Sequence, residues 1–338
     1  MAKRFFDAMG FRPYNPVFNY YDPFIDRAFI DQSNPVHMIG GPSGYQTKPS
    51  SETLGLEELQ TCNRGFYALD ANGAEVLNKE PDWNLVKTNF QNGINVNKSV
   101  YFDTEYWITP ELHADLGERL GCKYYTGRAL QIYTDIFKQP PAGTPPPPSS
   151  VMRGIYGLPT GAMHPQNPQA ATDIWKQVVA IQMNGGELSK YIMQNINCLF
   201  PSFYPYDYGA GNLTVSINVQ IQFNSILLTT TKANNIYNYP IYGFFTPRLI
   251  KPNGTRPFLN YASTYTLANW ILQNCDGIVL WDWDGYGGGL QPYGTEVVSW
   301  DSNAPWFKAI KDLQAIYNRA PVYQTINAQN PNQGISFR

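Results

Sequence analysis

The chain has 338 residues, a formal net charge of −2 and only 15 % charged residues, against about 25 % in ordinary soluble domains. No basic patch or like-charge block speaks for a nucleic-acid partner, and no apolar run approaches the ~18 residues of a membrane span. The length suits one large core, such as a single α/β barrel.

Residues 1–35 are rich in Asn, Pro, Tyr and Phe and read as an irregular N-terminal arm, a segment suited to docking on a partner. Val36–Gly40 is the first predicted strand, followed by a Gly-Pro-Ser-Gly turn. Gly65–Leu69 is a second strand, or one half of a hairpin turning at Asp-Ala-Asn-Gly. A helix is expected over Asp82–Ile94, then a strand ending near Asp103. Pro110–Phe137 reads as helix, and the Pro-rich stretch Gln139–Ser150 as a stiff loop. Val151–Gly157 resumes as strand, Ala170–Met183 and Glu187–Asn195 as helices, and Asn197–Tyr204 as a strand entering an aromatic loop. The spacing predicts helix over Asn212–Asn235, strand at Pro240–Phe245 and helix over Ala262–Asn274. Gly277–Trp283 is an almost purely apolar strand, as expected where helices cover a parallel sheet. Trp306–Asn318 closes the series as an amphipathic helix. Strands alternating with helices predict an α/β fold, a (β/α)7-8 TIM-like barrel over residues 36–325, with 326–338 as a tail. An open doubly wound sheet is the alternative, but Gly40–Gly44 lacks the Gly-x-Gly-x-x-Gly spacing of a phosphate turn.

Cys62, Cys122, Cys198 and Cys275 stand far apart, with no Cys-x-x-Cys pair, and His37, His113 and His164 form no metal-ligand spacing. Zinc and thioredoxin chemistry therefore have no support, and no cofactor or metal is expected. The start Met-Ala-Lys-Arg-Phe-Phe-Asp has no apolar h-region. A chain without a secretory leader is expected, cytoplasmic or virion-associated.

The chemistry concentrates at Asp103-Thr-Glu105-Tyr-Trp107. In a strand, side chains at i and i+2 share a face, so Asp103 and Glu105 point together. Two adjacent carboxylates at the end of a buried strand repel each other and raise at least one pKa, an arrangement suited to acid–base work on a sugar. An acidic pair that caps a helix or sits in solvent is the plain alternative. In a barrel the active site lies at the C-terminal strand ends. The other strand ends offer Arg153 and Tyr156; Ser202, Tyr204, Tyr206 and Asp207; Tyr242, Thr246 and Arg248; and Trp281, Asp282, Trp283 and Asp284. Tyrosine, tryptophan and carboxylate together suit an oligo- or polysaccharide better than a nucleotide. Each has a plainer reading as well: Tyr204 and Trp281 as core, Asp282 and Asp284 as caps of the loop Gly285–Gly289, and Arg248 as one half of an ion pair.

Several segments resemble the hyaluronidase-type glycoside hydrolases of animals and venoms. Asp103-Thr-Glu105-Tyr-Trp107 is similar to that family's Asp-x-Glu-x-Trp strand end. Leu199-Phe-Pro-Ser-Phe-Tyr204 resembles its Leu-(Phe/Tyr)-Pro-Ser-aliphatic-Tyr strand, and Asp276-Gly-Ile-Val-Leu-Trp281 its Gly-(Ile/Val)-Val-(Ile/Leu)-Trp strand. Tyr156-Gly-Leu-Pro159 is similar to its Tyr-Gly-Phe-Pro turn. The matches share the family's order over about residues 60–320. The resemblance implies a distorted barrel that hydrolyses a glycan at an N-acetylhexosamine, with Glu105 as general acid/base. Asp103 would orient the substrate's acetamido group as the nucleophile, Tyr204 would hydrogen-bond near it, and Trp281 would wall the pocket. Trp107, Tyr156, Asp207, Asp282 and Tyr242 complete the expected substrate-binding set. The family's Pro-Asp-Cys-Tyr-Asn stretch reads here Pro159-Thr-Gly-Ala-Met, so one site tyrosine and one disulfide cysteine have no counterpart. Without substrate assistance, Asp207, Asp282 or Asp284 would be the second carboxylate beside Glu105. A non-catalytic glycan-binding or structural component of a larger assembly, such as a virion, is the competing class.

Overall fold

The computed structural model describes residues 2–8, 51–61, 68–69, 75–76, 99–102, 150–157, 182–183, 186–187, 193–194, 196–207, 213–251, 257–281 and 301–319. Its centre is a six-stranded parallel sheet. The strands are β1 (Arg4–Asp7), β2 (Glu57–Thr61), β5 (Ser99–Phe102), β6 (Arg153–Ile155), β9 (Tyr242–Phe245) and β10 (Gly277–Leu280), in the spatial order β6-β5-β2-β1-β10-β9. Two short antiparallel hairpins lie outside it: β3 (Ala68–Leu69) with β4 (Glu75–Val76), and β7 (Gln182–Met183) with β8 (Gly186–Glu187).

Residues 197–206 hydrogen-bond to both edge strands of that sheet. On one side Asn197 N donates to Arg153 O (2.9 Å) and Gly157 N to Phe200 O (2.8 Å). On the other side Tyr242 N donates to Leu199 O (2.9 Å) and Phe244 N to Pro201 O (2.8 Å). The bridges Tyr156–Phe200, Leu199–Ile241, Ser202–Phe244 and Tyr206–Ile250 are all parallel.

Alternation along each strand sorts the side chains into two layers. Phe6, Ala8, Leu59, Met152, Tyr156, Cys198, Phe200, Tyr204, Tyr242, Phe244 and Val279 form one buried cluster. The intervening residues Phe5, Ile155, Phe203, Phe245, Ile278 and Leu280 are equally buried on the opposite face. Strands covered on both faces read as continuous apolar runs, which is why Gly277–Leu280 was legible as a strand. The inner layer is tight. A Cβ on Gly154 would meet the Phe200 ring at 2.6 Å, so glycine makes room for phenylalanine there.

Three helices lie among the described residues: α1 (Leu213–Asn234), α2 (Tyr261–Asn274) and α3 (Pro305–Tyr317), with α2 packed on β10 and against both α1 and α3. α2 begins where the Asn260 side chain accepts a hydrogen bond from Ser263 N, a standard N-cap. Its Leu267, Ala268, Ile271 and Leu272 are buried, and Trp270 meets Phe203 edge-on at 5.6 Å. α3 starts on Pro305, whose fixed φ suits a first helical position. Tyr261 Oη donates to Asp312 (2.7 Å) and Tyr317 Oη to Asn269 (2.8 Å), tying α2 to α3.

Two expectations need correction. Arg4–Asp7 is not part of an irregular arm: it is β1, between β2 and β10, with Phe6 fully buried. Its brevity hides it, since four residues, two of them charged, give no strand pattern on their own. Met183 and Glu187 are not helical: they belong to the β7–β8 hairpin, and the intervening Asn184-Gly185 is a strong hairpin dipeptide. The hairpin option at residues 68–76 holds. β2 had no sequence expectation. The expected elements at 36–40, 82–94 and 110–137 lie outside the described residues.

Among the described residues no helix is long and apolar enough to cross a membrane, and no group of His, Cys, Asp and Glu has the arrangement of a metal site.

Candidate functional site

The C-terminal ends of β6, of segment 197–206 and of β10 carry an aromatic wall. Tyr156 follows β6, Tyr204 lies past the Phe200–Ser202 pairing, and Trp281 follows β10. Tyr204 and Trp281 are stacked, with ring centroids 5.3 Å apart and planes at 12°. Tyr156 lies 5.8 Å from Tyr204, tilted by 30°, and meets Phe244 edge-on at 4.9 Å. Tyr156 Oη and Ser202 Oγ share a hydrogen bond of 3.1 Å. Trp281 N donates to Phe245 O (3.0 Å), which fixes the tryptophan's backbone to the end of β9. Tyr156 and Tyr204 are buried while Trp281 is half-buried, so the wall runs from the core toward the surface.

Asp207 lies two residues past Pro205 and is half-buried. Its backbone N donates to Ile250 O (2.8 Å), and its carboxylate accepts a long contact from Ser216 Oγ (3.5 Å). Tyr242 is not part of this group. It opens β9, in register with Gly277, and its ring meets Phe6 at 5.1 Å. Burial pushes its phenol up, and hydrogen bonding to Arg4 pulls the other way. The C-terminal rim is four residues further on, about 13 Å at ~3.3 Å per residue. Arg4 also donates Nε to Glu57 Oε1 (2.8 Å), so this end is held by an ion pair. Asp103, Glu105, Trp107, Asp282 and Asp284 lie outside the described residues.

Arg248 is buried, with its guanidinium 3.9 Å from the Phe258 ring centroid. It sits on a hairpin-like pairing with Phe258 just past β9. The contact is close enough for a cation–π attraction between guanidinium and ring.

The sequence reading missed α1's part in the site. Gln220 Oε1 accepts from Tyr206 N (3.1 Å), and Gln220 Nε2 donates to Asn224 Oδ1 (2.6 Å). Ser216, Gln220 and Asn224 are all buried. The spacing of Ser216, Gln220 and Asn224 at every fourth position was the available signal, since a core-facing stripe is normally apolar.

No family model and no curated protein matches the sequence. Among solved structures, the chain is similar to bee venom hyaluronidase in complex with a hyaluronic acid tetramer. That likeness has 11 % identity and a TM-score of 0.44, and covers 79 % of this chain and 90 % of the other. A monoclinic crystal structure of bee venom hyaluronidase is similar at the same identity and score, over 94 % of this chain and 97 % of the other. The endo-beta-1,4-mannanase of Thermotoga petrophila is similar at 9 % identity and TM-score 0.41, over 80 % and 72 %. Likenesses this distant assign neither an activity nor a residue to the present chain.

Proposed function

We propose that the protein is a glycoside hydrolase that cleaves a glycan at an N-acetylhexosamine by a retaining, substrate-assisted mechanism. The observation that carries this reading is the stacked Tyr204–Trp281 pair continued by Tyr156 at the strand ends. Sugar rings present apolar CH faces, and flat aromatic rings with polar edges are suited to pack against them. In this reading the parallel sheet closes into a (β/α) barrel, supported by the hydrogen bonds of segment 197–206 to both β6 and β9.

β5, the strand that precedes the acidic pair in the sequence, has its register fixed on both sides. Leu59 of the inner cluster pairs with Ser99, and in-register partners in a parallel pair share a face. Ser99 is buried and accepts from Met152 N (2.9 Å). Asp103 and Glu105 follow β5 in the sequence and are the acidic residues to which this reading gives the chemistry.

The chemistry follows from that pairing. Glu105, protonated, gives its proton to the glycosidic oxygen as the bond to C1 breaks. The substrate's acetamido oxygen forms a bond to C1 on the opposite face, and the Asp103 carboxylate accepts the acetamido N–H and offsets the positive charge that develops. Glu105, now ionised, takes a proton from the water that attacks C1, the bond from C1 to the acetamido oxygen breaks and restores the acetamide, and the product keeps its anomeric configuration. A carboxylate neighbour helps keep Glu105 protonated before the first step. No protein nucleophile ~5–5.5 Å from the acid is required.

Glu105→Gln tests the assignment. A folded variant with turnover reduced by about 10²-fold or more is expected, and wild-type turnover in that variant removes Glu105 from the role.

A further inference from the structure

Helix α1 departs from the pattern of a helix packed on a core. Its buried stripe contains Ser216, Gln220 and Asn224 at i, i+4 and i+8, each at most 2 % exposed. Side chains at this spacing lie on one face. Burying polar groups costs free energy unless they are satisfied, and here the satisfaction is specific. Gln220 takes up the backbone N–H of Tyr206, and Ser216 reaches the Asp207 carboxylate. Asn224 Nδ2 has no hydrogen-bond partner among the described residues.

Both receiving groups lie within three residues of Tyr204. Pro205 supplies no N–H, so the segment's own backbone bonds are Ile250 N to Pro205 O (2.9 Å) and Asp207 N to Ile250 O (2.8 Å), which fix one side of it. Gln220 Oε1 takes the Tyr206 amide from the helix side (3.1 Å).

We infer that the Ser216–Gln220–Asn224 stripe is a positioning device for the sugar-facing segment 204–207, with Gln220 as its central positioning residue. It holds the segment from behind, so that Tyr204 lies flat on Trp281 and Asp207 stays at the rim. This inference rests on the reading of the aromatic wall as a sugar-facing surface. Gln220 touches no substrate. Its effect passes through the backbone of Tyr206, so it acts on binding more than on the chemical step.

The test uses the full chain with Gln220→Leu, which removes the acceptor at similar volume, and Gln220→Glu, which keeps it. Two readouts are taken: amide exchange of residues 204–207 against β9 and β10, and kcat and KM on an N-acetylhexosamine-containing polysaccharide. In Gln220→Leu, faster exchange is expected only in 204–207, with KM raised about tenfold at nearly unchanged kcat, the size of one lost buried hydrogen bond. Gln220→Glu restores both toward wild type. A folded Gln220→Leu with unchanged exchange or unchanged KM overturns the inference. If Gln220→Leu does not fold, Ser216→Ala carries the same two readouts with the same directions. A wild-type chain inactive on every glycan overturns the sugar reading instead. Exchange alone then decides the positioning role, with faster exchange in 204–207 supporting it and unchanged exchange overturning it.

Discussion

Tyr204 has two neighbours of different kinds: Trp281 lies parallel to it and Tyr156 is tilted. Removing the Trp281 ring takes away the half-buried part of the wall while leaving the core rings in place. Trp281→Ala is expected to raise KM for the glycan about tenfold or more with a smaller change in kcat, checked by steady-state kinetics. The cysteines give an independent prediction. Burial pushes the Cys198 thiol far up and the Cys275 thiol up to about 12. Both are free and buried, so neither is a nucleophile at neutral pH. Because these thiols ionise in the unfolded chain near pH 9 but stay protonated in the fold, their contribution is fully present below that pH and is lost as pH rises above it. Chemical denaturation at a series of pH values should show stability falling above about pH 9, and Cys198→Ala, if folded, should reduce the slope. Trp281 was legible because it ends an apolar run, and Tyr156 and Tyr204 because each lies at the end of a stretch expected as strand. Tyr242 was misread as a rim residue because a tyrosine in a strand does not signal which end of the sheet it occupies. Only its register with Gly277 and its contact with Phe6 place it at the start of β9.

At the scale of elements, long helices and the apolar strands were readable, and short strands were not. α1, α2 and α3 run within a residue or so of their expected bounds, α2 and α3 because their apolar faces extend over three turns or more and α1 because of its length. β1 and β2 were missed because four or five residues with charges at the ends carry no period. The β7–β8 hairpin was missed because apolar spacing on its two flanks looked helical and outweighed Asn184-Gly185. The glycines of the strands have packing reasons that sequence cannot reveal. A Cβ on Gly154 meets Phe200 Cδ2 at 2.6 Å and Cys198 O at 2.9 Å. Gly154→Ala is expected to destabilise by about 1–3 kcal/mol in urea denaturation, the usual cost of overpacking. Phe200→Leu in the same chain should recover part of that loss, because the two sites share one space.

At the scale of the whole molecule, β1 changes what the N-terminus does. A docking arm tolerates deletion, whereas a strand hydrogen-bonded on both sides does not. Deleting residues 1–8 removes Phe6 and Ala8 from the inner cluster and leaves β2 and β10 without their shared neighbour. The truncated chain is expected to lose cooperative thermal unfolding, and a folded truncation would show β1 to be dispensable. The α/β alternation was legible in the sequence, and the parallel sheet with covering helices matches it. Asn197–Tyr204, expected as a strand, lies between the two edge strands but pairs through single bridges, since Pro201 and Pro205 punctuate the segment. The central claim joins the aromatic wall to the Asp103–Glu105 pair. Its most direct test is cleavage of a glycan panel by the wild type and Glu105→Gln, with product stereochemistry followed by NMR. The expected result is retained configuration on N-acetylhexosaminides, no cleavage of plain hexosides, and loss of both rate and product in Glu105→Gln. Inverted product, or undiminished cleavage by the variant, would contradict it.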